Sequence, residues 1–379
     1  MDSIDRSPSF ASVGENDTRL WGLTAAERGR RIARAANLAP KDATSGPSVL
    51  ANAAFAFDPA WLHYVAEQPG LVLTSGGVPA LGHARDPAEV QELAAAMQED
   101  RPLSATSLRV LAYEDGPTIE NKTLRKRETP FLIPLRPDTV RRIERASYFG
   151  AYKGVTDILT KYLWPEWALV LTRVAARLGL TPNFITFIGA VFCVLATWCF
   201  AEGLYWLGMG LGLAFMVLDT VDGKLARCTI TSSAWGNVFD HGMDLVHPPF
   251  WWWFWAVGLG HWGLAYEDAT FWWVQGAIQL GYVVQRLIEG IFIRQNGMHI
   301  HVWRKFDSQF RLITARRNPN MVILFAFMLF ARPDLGLIAV AWWTVISCLI
   351  HLVRLFQAWV IRARGGKIKS WLSDEGVPA

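Results

Sequence analysis

The chain has 379 residues, of which 52% are apolar and 19 are tryptophan, so it is too apolar for an ordinary soluble domain. Its formal net charge of +4 is small, and its basic residues are not gathered in one stripe, which argues against a nucleic-acid partner. We therefore predict a membrane protein with a soluble part.

Residues 1–150 carry the signals of a small α/β domain. Capping boxes predict one helix from Thr24 to about Ala36 and another from Asp86 to Met97. Strands are predicted at 54–57 and at 71–81, the second with a hairpin turn. We expect this domain to lie on the cytoplasmic side of the membrane.

Two segments follow before the long apolar runs. The basic run 122–127 is interpreted either as a binding segment for a substrate phosphate or anionic headgroups, or as a solvated loop near the membrane surface. Residues 151–182 are predicted to be a linker and an interfacial amphipathic helix, the helix covering 162–180. Arg173 and Arg177 interrupt its apolar side, which disfavours the alternative of an additional membrane-spanning helix.

Six apolar runs predict six transmembrane helices in a domain covering 183–365, followed by a C-terminal tail at 366–379. The fifth run is short enough to be a buried or re-entrant helix instead. The runs are Phe184 to Ala201, Gly203 to Leu218, Leu245 to Tyr266, Ala269 to Gln285, Met321 to Ala331 and Leu335 to Val353.

Basic residues predict the orientation of these spans. With the N-terminus inside, the outer loops offer only Arg332, whereas every inner segment carries several basic residues. We expect a multi-pass integral membrane protein, of the plasma or inner membrane if bacterial, with the N-terminus cytoplasmic. The predicted fold class is a membrane all-α domain of six helices, preceded by the interfacial helix and the small α/β domain.

Four aspartates lie where the second and third apolar runs extend toward the cytoplasm: Asp219, Asp222, Asp240 and Asp244. Ionisable groups at membrane depth are costly, and at helical spacing these four form two acidic faces. Small residues beside them leave space for a bulky phosphorylated ligand: Gly223, Ala226 and Gly236. Carboxylate oxygens favour hard cations, so we predict Mg²⁺ or Mn²⁺, with two ions in the site.

The run from Asp219 to Asp244 fits D-x2-D-G-x2-A-R-x8-G-x3-D-x3-D at every fixed position and thereby resembles the CDP-alcohol phosphotransferase (CDP-alcohol phosphatidyltransferase) family. The resemblance implies a transferase that moves a substituted phosphate group from a CDP-alcohol, either CDP-diacylglycerol or another, to an acceptor hydroxyl. CMP would be released, in phospholipid or phosphodiester biosynthesis. A homodimer in the lipid bilayer is also implied.

The resemblance assigns roles position by position. Asp219, Asp222, Asp240 and Asp244 would be the metal ligands, and Asp244 would also be the general base. The CDP moiety would contact Asp219, Gly223, Ala226, Arg227 and Gly236. His241 lies next to a predicted metal ligand, and we interpret it as a neighbour that orients the site or packs beside it.

Residues outside the motif have two interpretations each. Arg286 and Arg294 are candidates for binding a phosphate of the acceptor, although Arg286 and Glu289 are spaced to neutralise each other. His299 and His301 make a poor metal pair, and we expect them at the surface. The tryptophans of 251–255 could contact a ligand, but we expect them to anchor the protein in lipid and to pack against it.

The N-terminal arrangement is similar to proteins in which a nucleotidyltransferase is fused to the phosphotransferase. No segment before residue 150 supplies the glycine-rich loop ending in an arginine, so we predict a degenerate domain without that activity. Two other functions remain open for the whole chain. One is a cation transporter or channel that uses the acidic cluster, and the other is an inactive scaffold with the same fold.

Overall fold

The computed structural model describes residues 8–40, 48–104, 107–232 and 234–373. At 40, 234, 235, 237–241, 243 and 244 it describes the backbone alone. Within these limits the chain has an N-terminal α/β part followed by a helical part, in agreement with the coarse fold class predicted from the sequence.

The N-terminal part is built on a mixed six-stranded sheet. Its strand order is β2-β1-β3-β6-β5-β7, in which β6 runs antiparallel to β3 and β5, and the other pairs are parallel. The sheet strands are β1 (Ser9–Val13), β2 (Ala39–Pro40), β3 (Ser48–Asn52), β5 (Leu71–Ser75), β6 (Val78–Ala84) and β7 (Arg109–Ala112). Two small antiparallel pairs are formed by β4 (Phe55–Phe57) with β10 (Leu132–Pro134), and by β8 (Ile119–Asn121) with β9 (Lys126–Glu128).

Four helices accompany this sheet: α1 (Ala25–Ala35), α2 (Pro59–Ala66), α3 (Pro87–Gln98) and α4 (Val140–Gly150). Both predicted helix starts are confirmed, because the side chains of Thr24 and Asp86 accept hydrogen bonds from the backbone N–H groups of Glu27 (3.3 Å) and Glu89 (2.9 Å). The predicted strands are also confirmed, as β4 and as the β5–β6 hairpin. The remaining strands, β1 to β3 and β7 to β10, and the helices α2 and α4 were not predicted from the sequence.

Each of the six apolar runs lies mostly within a helix. The helices of this part are α5 (Pro165–Arg177), α6 (Pro182–Ala201), α7 (Tyr205–Cys228), α8 (Ala234–Gly258), α9 (Asp268–Asn296), α10 (Lys305–Arg311), α11 (Arg317–Met328) and α12 (Pro333–Ala363). Within the described residues, three of them are long and apolar enough to cross a membrane, namely α6, α7 and α12. The twelve residues of α11 extend only about 18 Å, which is shorter than the hydrocarbon core of a bilayer.

Close packing of the helices depends on glycines. Helix α6 packs against both α7 and α8, and α9 packs against α12. A Cβ atom at Gly208 would lie 2.6 Å from the ring of Phe200, and one at Gly258 would lie 2.0 Å from the carbonyl oxygen of Phe200. These two glycines therefore serve packing within one chain.

The tryptophan-rich segment of α8 corrects a prediction. Trp251, Trp252 and Trp255 are at most 2% exposed, so the lipid-anchoring role expected for them is wrong. The ring of Trp255 stacks on Tyr205 with centroids 4.3 Å apart, and its indole N–H donates to the carbonyl of Pro333 (3.1 Å). Their rings fill the space between helices because the close approach of α6, α7 and α8 encloses them.

Helix α8 contains two adjacent prolines, and a side chain of α9 donates a hydrogen bond to a backbone carbonyl that has lost its helical donor because of them. Pro249 has no N–H to donate to the carbonyl of Leu245, four residues earlier. The hydroxyl of Tyr282 on α9 donates to that carbonyl instead (2.9 Å). The amide of Gln279 likewise donates to the carbonyl of Pro249 (2.9 Å). The prolines are therefore accommodated inside a continuous helix.

The N-terminal part is packed firmly against the helices. One buried apolar cluster includes Ile143 and Tyr148 of α4 together with Trp164 and residues of α6 to α8. Across the same junction, Lys224 of α7 donates to the carbonyl of Ala151 (2.9 Å). This shared core gives the N-terminal part a definite position over the C-terminal end of α7.

Candidate active site

The C-terminal end of α7 carries the first half of the aspartate motif. The carboxylate of Asp219 forms an ion pair with Arg317, at the start of α11, with an Nη2 to Oδ2 distance of 2.8 Å. The two side chains are only 16% and 11% exposed. The carboxylate of Asp222 is buried and accepts a hydrogen bond from the hydroxyl of Thr186 on α6 (2.6 Å). Both acids therefore belong to one junction of α6, α7 and α11.

Gly223 and Arg227 lie one helical turn apart on α7. A Cβ atom at Gly223 would lie 3.0 Å from Nη2 of Arg227. Because Gly223 has no side chain, the guanidinium of Arg227 can lie against its backbone. Ala226 is half-buried on the same helix, and Gly236 lies half-buried on α8. Gly223 and Arg227 thus follow Asp219 at intervals of one helical turn on α7.

The second half of the motif lies on α8. The backbone of Asp240, His241 and Asp244 is helical, but their side chains lie outside the described residues. Their predicted roles as metal ligands, general base and orienting neighbour stay predictions.

A cavity of about 1100 Å³ opens beside this junction. Asp219, Gly223 and Arg227 line it, together with residues of α9, the α10–α11 region, the N-terminal part and the C-terminal segment. Among the described lining residues, ten are lysine or arginine and four are aspartate or glutamate. The surplus of positive charge favours an anionic ligand. The basic lining residues are Lys122, Arg125, Lys153, Lys224, Arg227, Arg286, Arg311, Arg316, Arg317 and Lys369.

The two candidate acceptor-binding arginines differ in position. Arg286 lines the cavity and contacts Glu289 (3.4 Å), as the i, i+3 spacing predicted. Glu289 also forms an ion pair with Arg316, so it is shared between two guanidinium groups. Arg294 is exposed on the surface of α9 and is not among the lining residues.

The structure corrects the position of His301. Its ring is only 2% exposed, so its expected surface position is wrong. With Glu289 and His351 it forms a group whose ligand atoms all lie within 4.8 Å of one another, a geometry that could hold a metal ion. The guanidinium of Arg316 already contacts Glu289 there and lies 3.3 Å from Nε2 of His301, so a cation would have to displace it. Burial lowers the pKa of His301 well below its ordinary value, which keeps the ring neutral.

The mouth of the cavity is bordered by two segments that are distant in sequence. The β8–β9 turn contributes residues 122–125, and the C-terminal segment contributes 368–370 together with 372 and 373. Trp371 fixes that segment to α10 through a hydrogen bond from its indole N–H to the hydroxyl of Ser308 (2.9 Å). Arg127 joins the two segments by donating to the carbonyls of Leu372 (3.4 Å) and Ser373 (3.3 Å).

Several lining residues were not predicted from the sequence. From the sequence, Arg311, Arg316 and Arg317 are only basic residues of a predicted inner segment, and they contribute to the orientation of the spans. Lys153 and Asp157 lie in the predicted linker 151–182. The adjacent pair Arg316-Arg317, just before the fifth apolar run, was the one local signal that could have identified this part of the cavity lining.

Comparison with known proteins shows what most of the helical part is similar to. Residues 179–331 match the family model described as CDP-alcohol phosphatidyltransferase. A cholinephosphotransferase 1 from Gallus gallus is 34% identical over 129 residues, which are 31% of this chain and 37% of that protein. A phosphatidylinositol phosphate synthase from Cutibacterium acnes is 37% identical over 82 residues, 21% of this chain and 40% of that protein. A choline/ethanolaminephosphotransferase 1 from Arabidopsis thaliana is 32% identical over 140 residues, 34% of each chain.

Proposed function

We propose, on the premise that residues 179–331 belong to the CDP-alcohol phosphatidyltransferase family, that this chain transfers a substituted phosphate group from a CDP-alcohol to an acceptor hydroxyl and releases CMP. The matches cover 37% and 40% of the first two relatives, so the activity of the whole chain is a proposal. The observation that carries it is the position of Asp219, Gly223 and Arg227 on one wall of a cavity rich in basic side chains.

The described residues fit a divalent cation. Asp219 and Asp222 supply hard oxygen donors at one helix junction, and Asp219 opens on the cavity. By the motif, Asp240 and Asp244 would complete a site for two Mg²⁺ or Mn²⁺ ions. When bound, the ions would supply charge neutralisation at the pyrophosphate of the donor.

The side chains of the chain itself have distinct proposed tasks. Arg227, held over Gly223, would bind the phosphates of the nucleotide, since a guanidinium matches phosphate oxygens. Asp244 would accept the proton of the acceptor hydroxyl as that oxygen attacks the phosphorus, and CMP would leave. Arg286, which also lines the cavity, would contact the acceptor, whereas the exposed position of Arg294 gives it no such contact here.

We further propose six transmembrane helices with the cavity on the cytoplasmic side. The helices α6 to α9, α11 and α12 coincide with the six apolar runs. Helix α5 would lie in the interface, because Trp167, Val170 and Val174 expose about half of their surface while Ala168 and Thr172 are buried. A homodimer is compatible with this arrangement, as Gly210 faces open space on α7.

We also propose that the N-terminal domain covers residues 1–150 and has no nucleotidyltransferase activity. The alternative function of a cation transporter is less well supported, because the described lining residues carry ten basic against four acidic side chains, a balance that suits an anionic ligand with its bound metal rather than free cations. An inactive scaffold with the same fold would release no CMP, so the measurement of CMP release distinguishes it from an enzyme.

The test measures CMP release. Purified protein receives Mg²⁺ or Mn²⁺ and a panel of CDP-diacylglycerol, CDP-inositol and CDP-aminoalcohols with candidate hydroxyl acceptors. Asp244→Asn should lower turnover by orders of magnitude with donor binding retained, whereas Asp219→Asn should weaken metal-dependent donor binding. Asp268→Asn, an exposed acid at the far end of α9, is the matched control and should behave as wild type.

Two results would contradict the proposal. Absence of CMP from every donor and acceptor pair, with cation flux in proteoliposomes, would identify a transporter. Equal loss of donor binding and turnover in both aspartate variants would refute the division of roles between them.

A further inference from the structure

A second groove opens beside the cavity that holds the aspartate motif. It has a volume of about 430 Å³ and is formed by the loop that leads into α10, the C-terminal end of α12 and the C-terminal segment. Among its described lining residues four are basic and none is acidic, and the others are two tryptophans and two isoleucines. We call it the basic groove, after Arg304, Lys305, Lys367 and Lys369. These side chains are exposed, and none of them forms an ion pair with a described carboxylate.

The aromatic walls of the basic groove are fixed by packing and by hydrogen bonds. Trp303 is only 5% exposed and packs in a buried cluster with residues of α9 and α12. The backbone N–H of Trp371 donates to the carbonyl of Trp303 (3.2 Å). The guanidinium of Arg304 lies 4.7 Å from the ring centroid of Trp303. The ammonium of Lys305 lies 5.7 Å from that of Trp371. Two of the cations are therefore held over rigid aromatic faces in a groove that is already formed.

The basic groove lies at the level where a candidate membrane span ends. Helix α12 is long and apolar enough to cross a membrane, and it ends at Ala363, beside the groove. On α12, Val353 and Phe356 expose 53% and 63% of their surface. They lie about 10–15 Å before the end of the helix. Phe306 of α10 is 51% exposed and lies next to α12, because the guanidinium of Arg354 is 5.8 Å from its ring. Exposed apolar side chains thus lie on the side of the groove that faces the span.

We propose that the basic groove binds the phosphate headgroup of an anionic phospholipid from the surrounding bilayer. Clustered lysines and arginines at the end of a membrane span attract anionic headgroups, and tryptophans are favoured at the same depth. The exposed apolar side chains beside the groove would contact the acyl chains, which a soluble anion lacks. The inference goes beyond the proposed function and does not depend on it, because lipid binding requires no turnover.

A lipid in the basic groove would also act on the mouth of the cavity. Ile368 and Lys369 line both the groove and the cavity, so a short piece of the C-terminal segment separates the two. A headgroup bound to Lys367 and Lys369 would hold this segment at the membrane surface. One border of the cavity mouth would thereby depend on the lipid composition around the protein.

The test measures phospholipid binding to the purified full chain by native mass spectrometry. Delipidated protein in detergent is titrated with anionic phosphatidylglycerol or with zwitterionic phosphatidylcholine, and wild type should bind phosphatidylglycerol more tightly. The variant that combines Lys305→Gln and Lys367→Gln removes two charges that line the groove and do not line the cavity. Each lost charge should weaken binding about fivefold, so this variant should bind phosphatidylglycerol about twenty-fivefold more weakly.

The matched control combines Arg362→Gln and Arg364→Gln, which remove two exposed cations at the end of α12 outside the groove. It should bind phosphatidylglycerol as wild type does. A variant with Lys305→Arg and Lys367→Arg keeps both charges and should also bind as wild type. Thermal unfolding of each variant establishes that the protein remains folded. Equal losses in the groove variant and the control would indicate diffuse surface attraction and overturn the proposal, as would equal affinity of wild type for the two lipids.

A second arm separates a lipid from a soluble anion. Glycerophosphoglycerol, the deacylated headgroup, is added as a competitor and should not displace phosphatidylglycerol at equal concentration. Displacement at equal concentration would assign the groove to a soluble phosphate compound and overturn its assignment to a bilayer lipid. Failure of CMP release would refute the proposed function and leave the lipid site standing, so the two failures are distinguishable.

Discussion

Replacing Arg317 by glutamine should strengthen metal binding. In the structure the guanidinium of Arg317 is the counter-ion of Asp219, at 2.8 Å, and both groups are largely withdrawn from solvent. A cation that binds Asp219 has to displace this guanidinium and then remain beside a positive charge. Removing the charge therefore favours the metal-bound state.

The contact sets the size of the effect. A hydrogen bond between charged groups contributes about 1.5–3 kcal/mol, so relieving the competition should raise the metal affinity roughly tenfold to a hundredfold. Arg317→Lys retains the charge and should change the affinity less. The assay is Mn²⁺ binding to the purified protein without donor, followed by electron paramagnetic resonance or calorimetry.

The matched control is Arg294→Gln, which removes an exposed arginine outside the cavity. Unchanged or weaker Mn²⁺ binding in Arg317→Gln would refute the reasoning. In that case Arg317 would hold Asp219 in its ligating position rather than compete with the metal.

Three further predictions concern stability. Glu289→Gln should lower the free energy of unfolding by about 3–5 kcal/mol, because it leaves two partly buried arginines without their shared acid. Thermal unfolding measures this, with the exposed Glu267→Gln as control. Equal melting temperatures of Glu289→Gln and wild type would contradict the prediction. Gly258→Ala should destabilise by at least about 1–3 kcal/mol, because its Cβ would lie 2.0 Å from a carbonyl oxygen, whereas Gly260→Ala, which meets nothing within 4 Å, should not. Hydrogen bonds from a neighbouring arginine lower the pKa of Glu89 from 4.5 to about 2, so its contribution is complete above pH 4.5 and is lost as the pH falls toward 2. Glu89→Gln should remove this part of the pH dependence of unfolding, and an unaltered acid transition would contradict the assignment.

Local spacing was enough to group the residues of α7. The period of the helix places Asp219, Gly223 and Arg227 on one face, and the structure brings that face to the cavity. The capped helices at Thr24 and Asp86 were predictable for the same reason, since each cap depends on atoms three residues apart.

Contacts between distant segments were not predictable in this way. Arg317 and Asp219 are 98 residues apart, so no pattern within one helix reveals their ion pair. The burial of His301 follows from the packing of its loop against α9 and α12, and the burial of Trp251 follows from the close approach of α6 and α7. In each case the tertiary neighbours, and not the local composition, decide whether a polar or aromatic side chain meets lipid, water or protein.

The bonds from Arg127 to Leu372 and Ser373 make the two sides of the cavity mouth dependent on each other. Exchanging the N-terminal domain of this chain for that of another protein would also remove Arg127, which donates hydrogen bonds to the C-terminal segment. A chimera that replaces 1–150 alone would therefore leave 368–373 without its contact to the turn, while Trp371 still holds it to α10. Domain exchange in this architecture requires a matched pair of segments from opposite ends of the sequence.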